Sequence, residues 1–417
     1  MSQTSATPRI TDVGRSSAPV EVAVVGAGII GTCIAYELQK RGAVVTLFDR
    51  DEPGRGCSYG NSGAISESSV APLAMPGILS SIPAMLLDPK GPLYLPLTHL
   101  PVAMPWLIRF LASARQAQVF KAAAELASLH AGAVEKHEAL AREIGVPEVI
   151  TRRGHLHLYP DRAELVKDAA AWALRERFGF RFEELNRAGI LELEPQVGSR
   201  YNAGLFLADH ATVLNPFRYV QAIVRAFGAQ GGRLLREEVL EVAPVTDHRW
   251  RLLHAGRSHD FDHVAVAAGA WSGGLLKPLG IRLRLESQRG YHVQFHGGPQ
   301  VVTRTVVLAD RKVFVTPMEE GIRVGGTVEI GGLLRPPDQR RSDLLDQIAR
   351  ETFDGLAGVA SSTWMGHRPC TPTSVPIVGP AAGKPGLWIA AGHGHLGMTD
   401  SINTAERIAD GVMSAVR

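Results

Sequence analysis

The sequence predicts an α/β protein: a Rossmann-type nucleotide-binding domain drawn from both ends of the chain, with an α+β substrate domain on an antiparallel sheet inserted into it. Three observations predict this. The stretch VAVVGAGIIGTCIAYELQKRGAVVTLFD, Val22 to Asp49, runs strand, glycine turn, helix, strand, acid. From Arg282 to Val328 the chain alternates apolar and polar residues as long antiparallel strands do. A last apolar run, Leu387 to Ala391, passes through GHGHLG into a closing helix. A nicotinamide dehydrogenase of the ordinary kind would complete its nucleotide unit continuously, and here the pieces are scattered.

Val22 to Val25 has the pattern of a strand buried on both faces. Gly26, Gly28 and Gly31 follow at GxGxxG spacing, where that strand must become a helix. The first allows the tight turn, the second lets backbone approach a pyrophosphate, and the third lets helix pack on strand. Phosphates then meet the free N–H groups of the helix start. Ile30, Ile34 and Leu38 recur at helical spacing, and Gly42 closes the helix after Lys40 and Arg41. Val44 to Phe48 is a second strand, ending in Asp49, which is placed to accept hydrogen bonds from a ribose diol. A lone GxGxxG is weak. With strand, helix and acid in register it marks a nucleotide site.

Further along, the loop GRGCSYGNSGAIS ends the front unit near Gly63. Ala123 to Gly145 shows helical apolar spacing, Gly154 to Pro160 reads as a strand, and Ala163 to about Phe178 as a helix. Pro216 to Gly228 is an amphipathic helix with proline near its first turn. GRLLREEVLEVAPV, RWRLLHAG and HDFDHVAVAAGAWS form a meander ending in a buried run, His263 to Ala268. The long strands after Arg282 present a polar face able to roof a pocket. The closing helix spans about Met398 to Val416 and starts from a glycine-rich turn, so its free N–H groups again aim at something. Residues 20–75, 200–280 and 366–417 are accordingly assigned to the nucleotide half, and 76–199 and 281–365 to the substrate half.

Composition narrows the function. With 417 residues and 45% apolar content the chain can bury a large core and is long for one domain. A net charge of +3, with basic residues scattered, argues against a nucleic-acid surface. Cys33, Cys57 and Cys370 are too few and too dispersed for a disulfide framework or a zinc site, and no metal-ligand or Ser-His-Asp constellation is present. Residues 1–19 are polar, lack a signal-type apolar core and read as a disordered leader, which suggests a cytoplasmic location. Pro76 to Leu111 is strongly apolar, but Pro96, Pro101, Pro105 and Arg109 interrupt it, so it is no clean membrane span. It reads either as a lid over a substrate pocket or as a face that docks peripherally on the inner membrane to reach quinone.

Six motifs in order carry a family resemblance: GAGIIG…FD, GCSYGNSG, VAVAAGAWS, RVGGTVEI, HRPCTPTSVPIVG and GHGHLG. From about Val20 the chain resembles the flavin-dependent D-amino-acid oxidase/glycine oxidase superfamily, and within it the bacterial D-amino-acid dehydrogenases. The resemblance implies FAD, held without a covalent bond, since Cys370 does not fall where some relatives link flavin to cysteine. It implies that Gly26, Ala27, Gly28, Ile29, Ile30 and Gly31 cradle the pyrophosphate, with Asp49 and Arg50 at the adenosine ribose. Ser58, Asn61, Ser62 and Gly63 line the flavin side of the pyrophosphate. Val239 meets the adenine through its backbone, and Ala268 and Gly269 close the loop. Gly392, His393, Gly394, Leu396, Gly397 and Met398 lie beside the isoalloxazine, where a helix N-terminus favours the anionic reduced flavin.

On the substrate side, an α-amino acid brings a carboxylate, which a guanidinium grips in two places; Arg368 of the RP motif is the first candidate. Tyr291 of RGYH is the second, as a phenolic donor, and His395 and His292 are candidate polar groups of the pocket. Relatives often carry an arginine in the strand turn occupied here by TPMEEG, where Pro317 stands, which points to a different or bulkier substrate. The implied reaction is oxidative deamination, with Cα hydride passing to flavin N5 and the electrons to a respiratory acceptor. The substrate expected is a D-amino acid or a D-proline or hydroxyproline-type imino acid. A glycine- or sarcosine-type oxidase using O2, and a non-catalytic flavin-binding partner subunit, are the competing readings.

Overall fold

The computed structural model describes residues 19–78, 91, 93–246 and 249–415. The expected leader therefore lies almost wholly outside the described residues, as do residues 79–90 and 92 of the apolar stretch. Six strands form the nucleotide sheet, in the order Arg233–Leu235, Val44–Phe48, Glu21–Val25, His263–Val266, Leu387–Ala391, Ile377–Pro380. All pair in parallel except the last, so the sheet is assembled from the front, the middle and the end of the chain. The central strands are apolar because both faces are covered; His263–Val266 and Leu387–Ala391 are buried throughout.

Helices Ile29–Lys40, Pro216–Ala229 and Gly397–Ala415 cover one face of this sheet. The antiparallel meander Val239–Thr246, Arg249–His254, Arg257–Phe261 covers the other. The helical spacing read at Ile34 and Leu38 puts both in that core with no exposed surface. Truncating Leu38 to alanine there would cost about 2–5 kcal/mol.

The second sheet has eight strands in the order Ser361–Cys370, Glu286–His296, Gly321–Ile330, Val313–Met318, Thr305–Leu308, His155–Tyr159, Ala203–Leu207, Glu183–Asn186, with the short Leu93–Tyr94 beside Gly321–Ile330. Pairing is antiparallel save between Thr305–Leu308 and His155–Tyr159 and at Leu93–Tyr94. One face packs Tyr291, Val293, Phe295, Ile322 and Val324 against the helix Gln339–Thr352. The opposite face sets Gln288, Gly290, His292 and Gln294 across from Arg368, Gly366, Trp364 and Ser362. The strand Glu286–His296 is buried up to its last residue, so its polar side faces the interior, over the Tyr59–Ser62 loop, rather than solvent.

Several elements differ from the sequence reading for local reasons. The helical section from Ala123 is two helices, Gln116–His130 and Ala133–Glu143, broken where Gly132 takes φ +64°. The helix read from Ala163 splits at Asp168 into Arg162–Lys167 and Ala169–Arg177. Strand pairing also crosses two of the assigned boundaries. Ala203–Leu207 belongs to the large sheet, and Ser361–Cys370 runs through position 366.

Candidate active site

A cavity opens at the carboxyl ends of the nucleotide strands, where such sheets bind ligands. Its wall includes Gly26, Gly28, Ile29, Ile30, Asp49, Arg50, Ser58, Asn61, Val239, Ala268, Gly269, His393, Gly394, Gly397 and Met398. The glycine turn is fixed by space. Gly26 takes φ +106°, and a Cβ there would lie 2.4 Å from the Ala267 carbonyl oxygen; one on Gly31 would lie 1.8 Å from that of Gly26. Asp49 accepts from Ala27 N at 2.6 Å and Asp51 N at 3.0 Å. Burial pushes its carboxyl upward while those two N–H groups oppose the shift. Ser58 Oγ accepts from Ile29 N at 2.9 Å, so the GCSYGNSG loop reaches the helix start.

The other expected cofactor residues frame these turns from behind. Ala27 holds Asp49, Gly31 abuts Gly26, and Gly63 N donates to Asn61 Oδ1 at 2.7 Å. Ser62 presses on Gly325 of the large sheet, leaving no room for a side chain there. Gly392 takes φ +93°, and Leu396 N donates to His393 O at 2.9 Å. Backbone N–H groups, a helix start and a half-buried carboxylate at the strand end form a donor and acceptor set that fits a dinucleotide. The residues present fit FAD.

Sequence reasoning missed part of the wall. Trp271 lies under the Arg50 guanidinium, 4.6 Å from ring centre to Cζ, and meets His367 edge-on at 5.4 Å. Glu238 stands 3.4 Å from Arg50. Trp271 sat in the quoted VAVAAGAWS motif, but only the 3-10 turn Gly269–Trp271 aims it at the cavity.

Beside the cavity, Gly394 N donates to Pro369 O at 2.8 Å, which ties the GHGHLG turn to the RP strand and brings His395 near Arg368. Arg368 is half-buried by its own surface but closely surrounded by protein, and that surrounding pulls its guanidinium below the usual arginine range. Its surroundings are the thiols of Cys57 and Cys370 and the imidazoles of His292 and His395. Burial pushes the Cys57 thiol up to about 11 and Cys370 to about 12, so neither supplies a negative charge. The one hydrogen bond Arg368 makes among the described residues is from Nη1 to Thr327 O, 3.2 Å. Thr327 is held at φ +51°, strained for a β-branched residue, at the bulge where the pairing with Glu286–His296 slips between Arg289 and Tyr291. Gly290 makes room for the guanidinium: a Cβ there would stand 2.1 Å from Arg368 Cζ.

His395 exposes part of its own surface yet sits deep among protein. Burial pulls its imidazole down to about 4, the Arg368 charge adds to that, and Asp400 opposes it. His393, likewise held at about 4 by burial, pairs through Nε2 with Thr404 Oγ1 at 3.0 Å. His292 donates through Nδ1 to Gly60 O at 3.1 Å and stacks on Trp364 at 5.2 Å; burial, then Arg323, pull it to about 3.

Tyr291 does not join this group. It lies on the core face, its hydroxyl donating to Glu329 Oε2 and accepting from Asp338 N at 3.0 Å, so the structure corrects its reading as a substrate donor. Cross-strand parity decides it, because residues next to each other on a strand face opposite sides. Pro317 is buried in the strand Val313–Met318, but the return strand of that hairpin does bring an arginine. Arg323 Nε donates to Gln294 Oε1 at 3.0 Å, and Nη1 to the carbonyls of Tyr59 and Asn61 at 2.9 and 2.7 Å. Its hydrogen bonds pin the cofactor-side loop to the sheet. Neither Arg323 nor Trp364 was singled out from the sequence, since only strand register shows which way they face.

Residues 21–411 match a family described as FAD dependent oxidoreductase. The chain is 36% identical over 396 residues to a D-amino-acid oxidase of Bradyrhizobium diazoefficiens, covering 93% of this chain and 94% of that one. It is 32% identical over 425 residues to D-amino acid dehydrogenase 2 of Ralstonia nicotianae, covering 94% and 96%. Among solved structures, glycine oxidase from Geobacillus kaustophilus superposes with a TM-score of 0.74 at 20% identity, over 95% of each chain. The L-proline dehydrogenase from P. horikoshii gives 0.73 at 18%, over 95% of this chain and 94% of that one. These two likenesses speak to the fold.

Proposed function

The chain belongs to the FAD dependent oxidoreductase family, and from that premise we propose that it oxidises the CH–N bond of an amino acid, passing the electrons to a respiratory acceptor. The substrate is a D-amino acid or a D-proline-type imino acid; the names of the Bradyrhizobium and Ralstonia relatives support that class. One observation carries the reading: a half-buried arginine, Arg368, with a single carbonyl partner and no carboxylate among the described residues. A partly buried cation without a counter-ion is under-served, and a substrate carboxylate supplies what is missing.

Bound FAD supplies the two-electron acceptor that takes the hydrogen of the substrate α-carbon as hydride. The chain does the rest. Arg368 grips the carboxylate and so fixes the α-carbon. The substrate ammonium must lose one proton before its C–N bond gains double-bond character, and an imidazole nitrogen of His395 is the nearby acceptor. Pairing of Arg368 with the carboxylate removes the second of the causes that hold His395 low, after burial, so substrate binding itself makes His395 a better base. Water hydrolyses the imino product of a primary amino acid to a keto acid and ammonia, whereas the cyclic imine from a proline-type substrate keeps its nitrogen and can only open to an amino keto acid. The start of the helix Gly397–Ala415 and the N–H groups of its turn favour negative charge at the cofactor edge they face.

Anaerobic titration of the holoenzyme with D-, L- and N-alkyl amino acids, followed by flavin absorbance, tests this. Bleaching by D-amino acids or D-proline is expected. A flavin that no amino acid reduces would refute the reading and favour a partner subunit. The oxidase name of the Bradyrhizobium relative favours a second reading for the acceptor alone, O2. Stoichiometric peroxide under air, with no gain from a quinone analogue, would select it.

A further inference from the structure

The strand Gly321–Ile330 carries a local irregularity. Arg289 pairs with Glu329 and Tyr291 with Gly326, so Gly290 alone stands opposite Thr327 and Val328. Inside this bulge Thr327 takes φ +51°. The other residues besides glycine with positive φ among the described residues, Ala255, Lys312 and Ser374, all lie in turns between strands. Thr327 is the one within a strand, and the one that is β-branched, for which this conformation is most strained. Its side chain offers no compensation: Thr327 is 3% exposed, and its hydroxyl has no partner among the described residues. Strain of that kind persists only where the surroundings impose it, and it collects at functional sites.

The bulge holds an arginine from two strands away. Arg368 stands on Ser361–Cys370, with Glu286–His296 in between. Its guanidinium lies across the bare backbone of Gly290, where a Cβ would come within 2.1 Å of Cζ, 2.3 Å of Nη2 and 2.5 Å of Nε. Beyond Gly290, Nη1 donates to the Thr327 carbonyl at 3.2 Å. A carbonyl in a regular ladder points along the sheet to a neighbouring strand. The bulge and the positive φ turn this one to a group that crosses the sheet face.

A carbonyl differs from a carboxylate as an anchor. It fixes the direction of the guanidinium and leaves its charge uncancelled. Nε and Nη2 make no hydrogen bond among the described residues, so one edge of the fork remains for a ligand. We propose that Thr327 and Gly290 are positioning residues for substrate binding: the strained carbonyl tethers Nη1, the glycine gives the guanidinium its bed, and the Nε–Nη2 edge is thereby aimed at the substrate carboxylate. The inference rests on the reading of Arg368 as the carboxylate clamp.

KM of the holoenzyme should then follow the backbone that residue 327 allows. Proline is tolerated at bulges but fixes φ at about −65°, so Thr327→Pro turns the carbonyl away. Its KM for the best amino acid rises about tenfold while kcat and FAD content hold. Thr327→Asn is the conservative control: asparagine accepts positive φ, and KM returns to within about twofold of the wild type. Gly290→Ala, which no positive φ forbids, places a methyl in the bed and raises KM about tenfold. Added to Arg368→Met, it lowers kcat/KM no further. Unchanged KM in Thr327→Pro, a rise in Thr327→Asn as large as in Thr327→Pro, or a Gly290→Ala loss that persists beside Arg368→Met would each overturn the proposal. Should Thr327→Pro fail to fold, Thr327→Asn and the Gly290→Ala pair still decide. Arg368→Met with undiminished kcat/KM would instead sink the functional reading, since no clamp would then exist to be positioned.

Discussion

The two halves of the site are made of different material. The cofactor side is largely backbone: turns at Gly26 to Gly31 and Gly392 to Gly397 whose N–H groups and lack of side chains shape the cavity. The proposed substrate side is side chains: Arg368 and His292, with Trp364 and Arg323 beside them, brought onto one sheet face from three strands. A backbone site is specified by residues close together in sequence. A side-chain site is specified by register across strands far apart in the chain. At Gly26 and Gly31 the first tolerates no added atom; the second tolerates exchange and can change substrate without changing fold.

Breaking the backbone half has the largest expected effect. In Gly31→Val the new side chain runs into the Gly26 carbonyl, which a Cβ alone would approach to 1.8 Å. Soluble protein should come off the column colourless and take up no FAD on reconstitution. A yellow variant with wild-type FAD content would show that the turn is not the pyrophosphate cradle.

Arg368→Met comes next and separates the halves. With the carboxylate clamp gone, kcat/KM for the best amino acid should fall about a hundredfold or more while FAD content is unchanged. Stability should move the other way. Arg368 is a half-buried cation without a carboxylate, so an apolar replacement of similar length should leave the melting temperature equal or higher. A marked loss of stability would mean that Arg368 is structural.

His395→Gln probes the proton. In the free enzyme His395 is held at about 4, so it is neutral and able to accept a proton above that pH and loses that capacity as pH falls through it. The kcat/KM profile should therefore show an acid limb near pH 4. The kcat limb should lie higher, because bound carboxylate cancels the Arg368 charge. In His395→Gln the limb should vanish and kcat drop by about a hundredfold. A limb that persists would assign the proton elsewhere.

The same division explains what could be read from the sequence. The strand–turn–helix–strand of Val22 to Asp49 is contiguous, so spacing alone singled out Gly26, Gly28 and Asp49, which wall the cavity, and Gly31 behind them. Arg368 was legible only through its motif, and its isolation from carboxylates was not legible at all, because its neighbours come from positions 57, 292, 327 and 395. Alternation along Glu286–His296 showed that the strand has two faces but not which of them meets the cofactor loop. Helix breaks at Gly132 and Asp168 were missed because apolar spacing continues across both.

Tyr291 is where that ambiguity went the wrong way, and it carries the smallest effect. Its hydroxyl serves Glu329, whose carboxylate also pairs with Arg289 Nη1 at 2.9 Å, both groups without exposed surface. Tyr291→Phe removes one donor from that buried carboxylate and one acceptor from Asp338 N, while Arg289 still neutralises the charge. The cost should be about 1–3 kcal/mol, a melting temperature lower by a few degrees. Kinetics should not change, since the phenol sits on the far side of the sheet from Arg368. A rise in KM with unchanged melting would restore Tyr291 to the substrate face and erase the distinction between the strand's two sides.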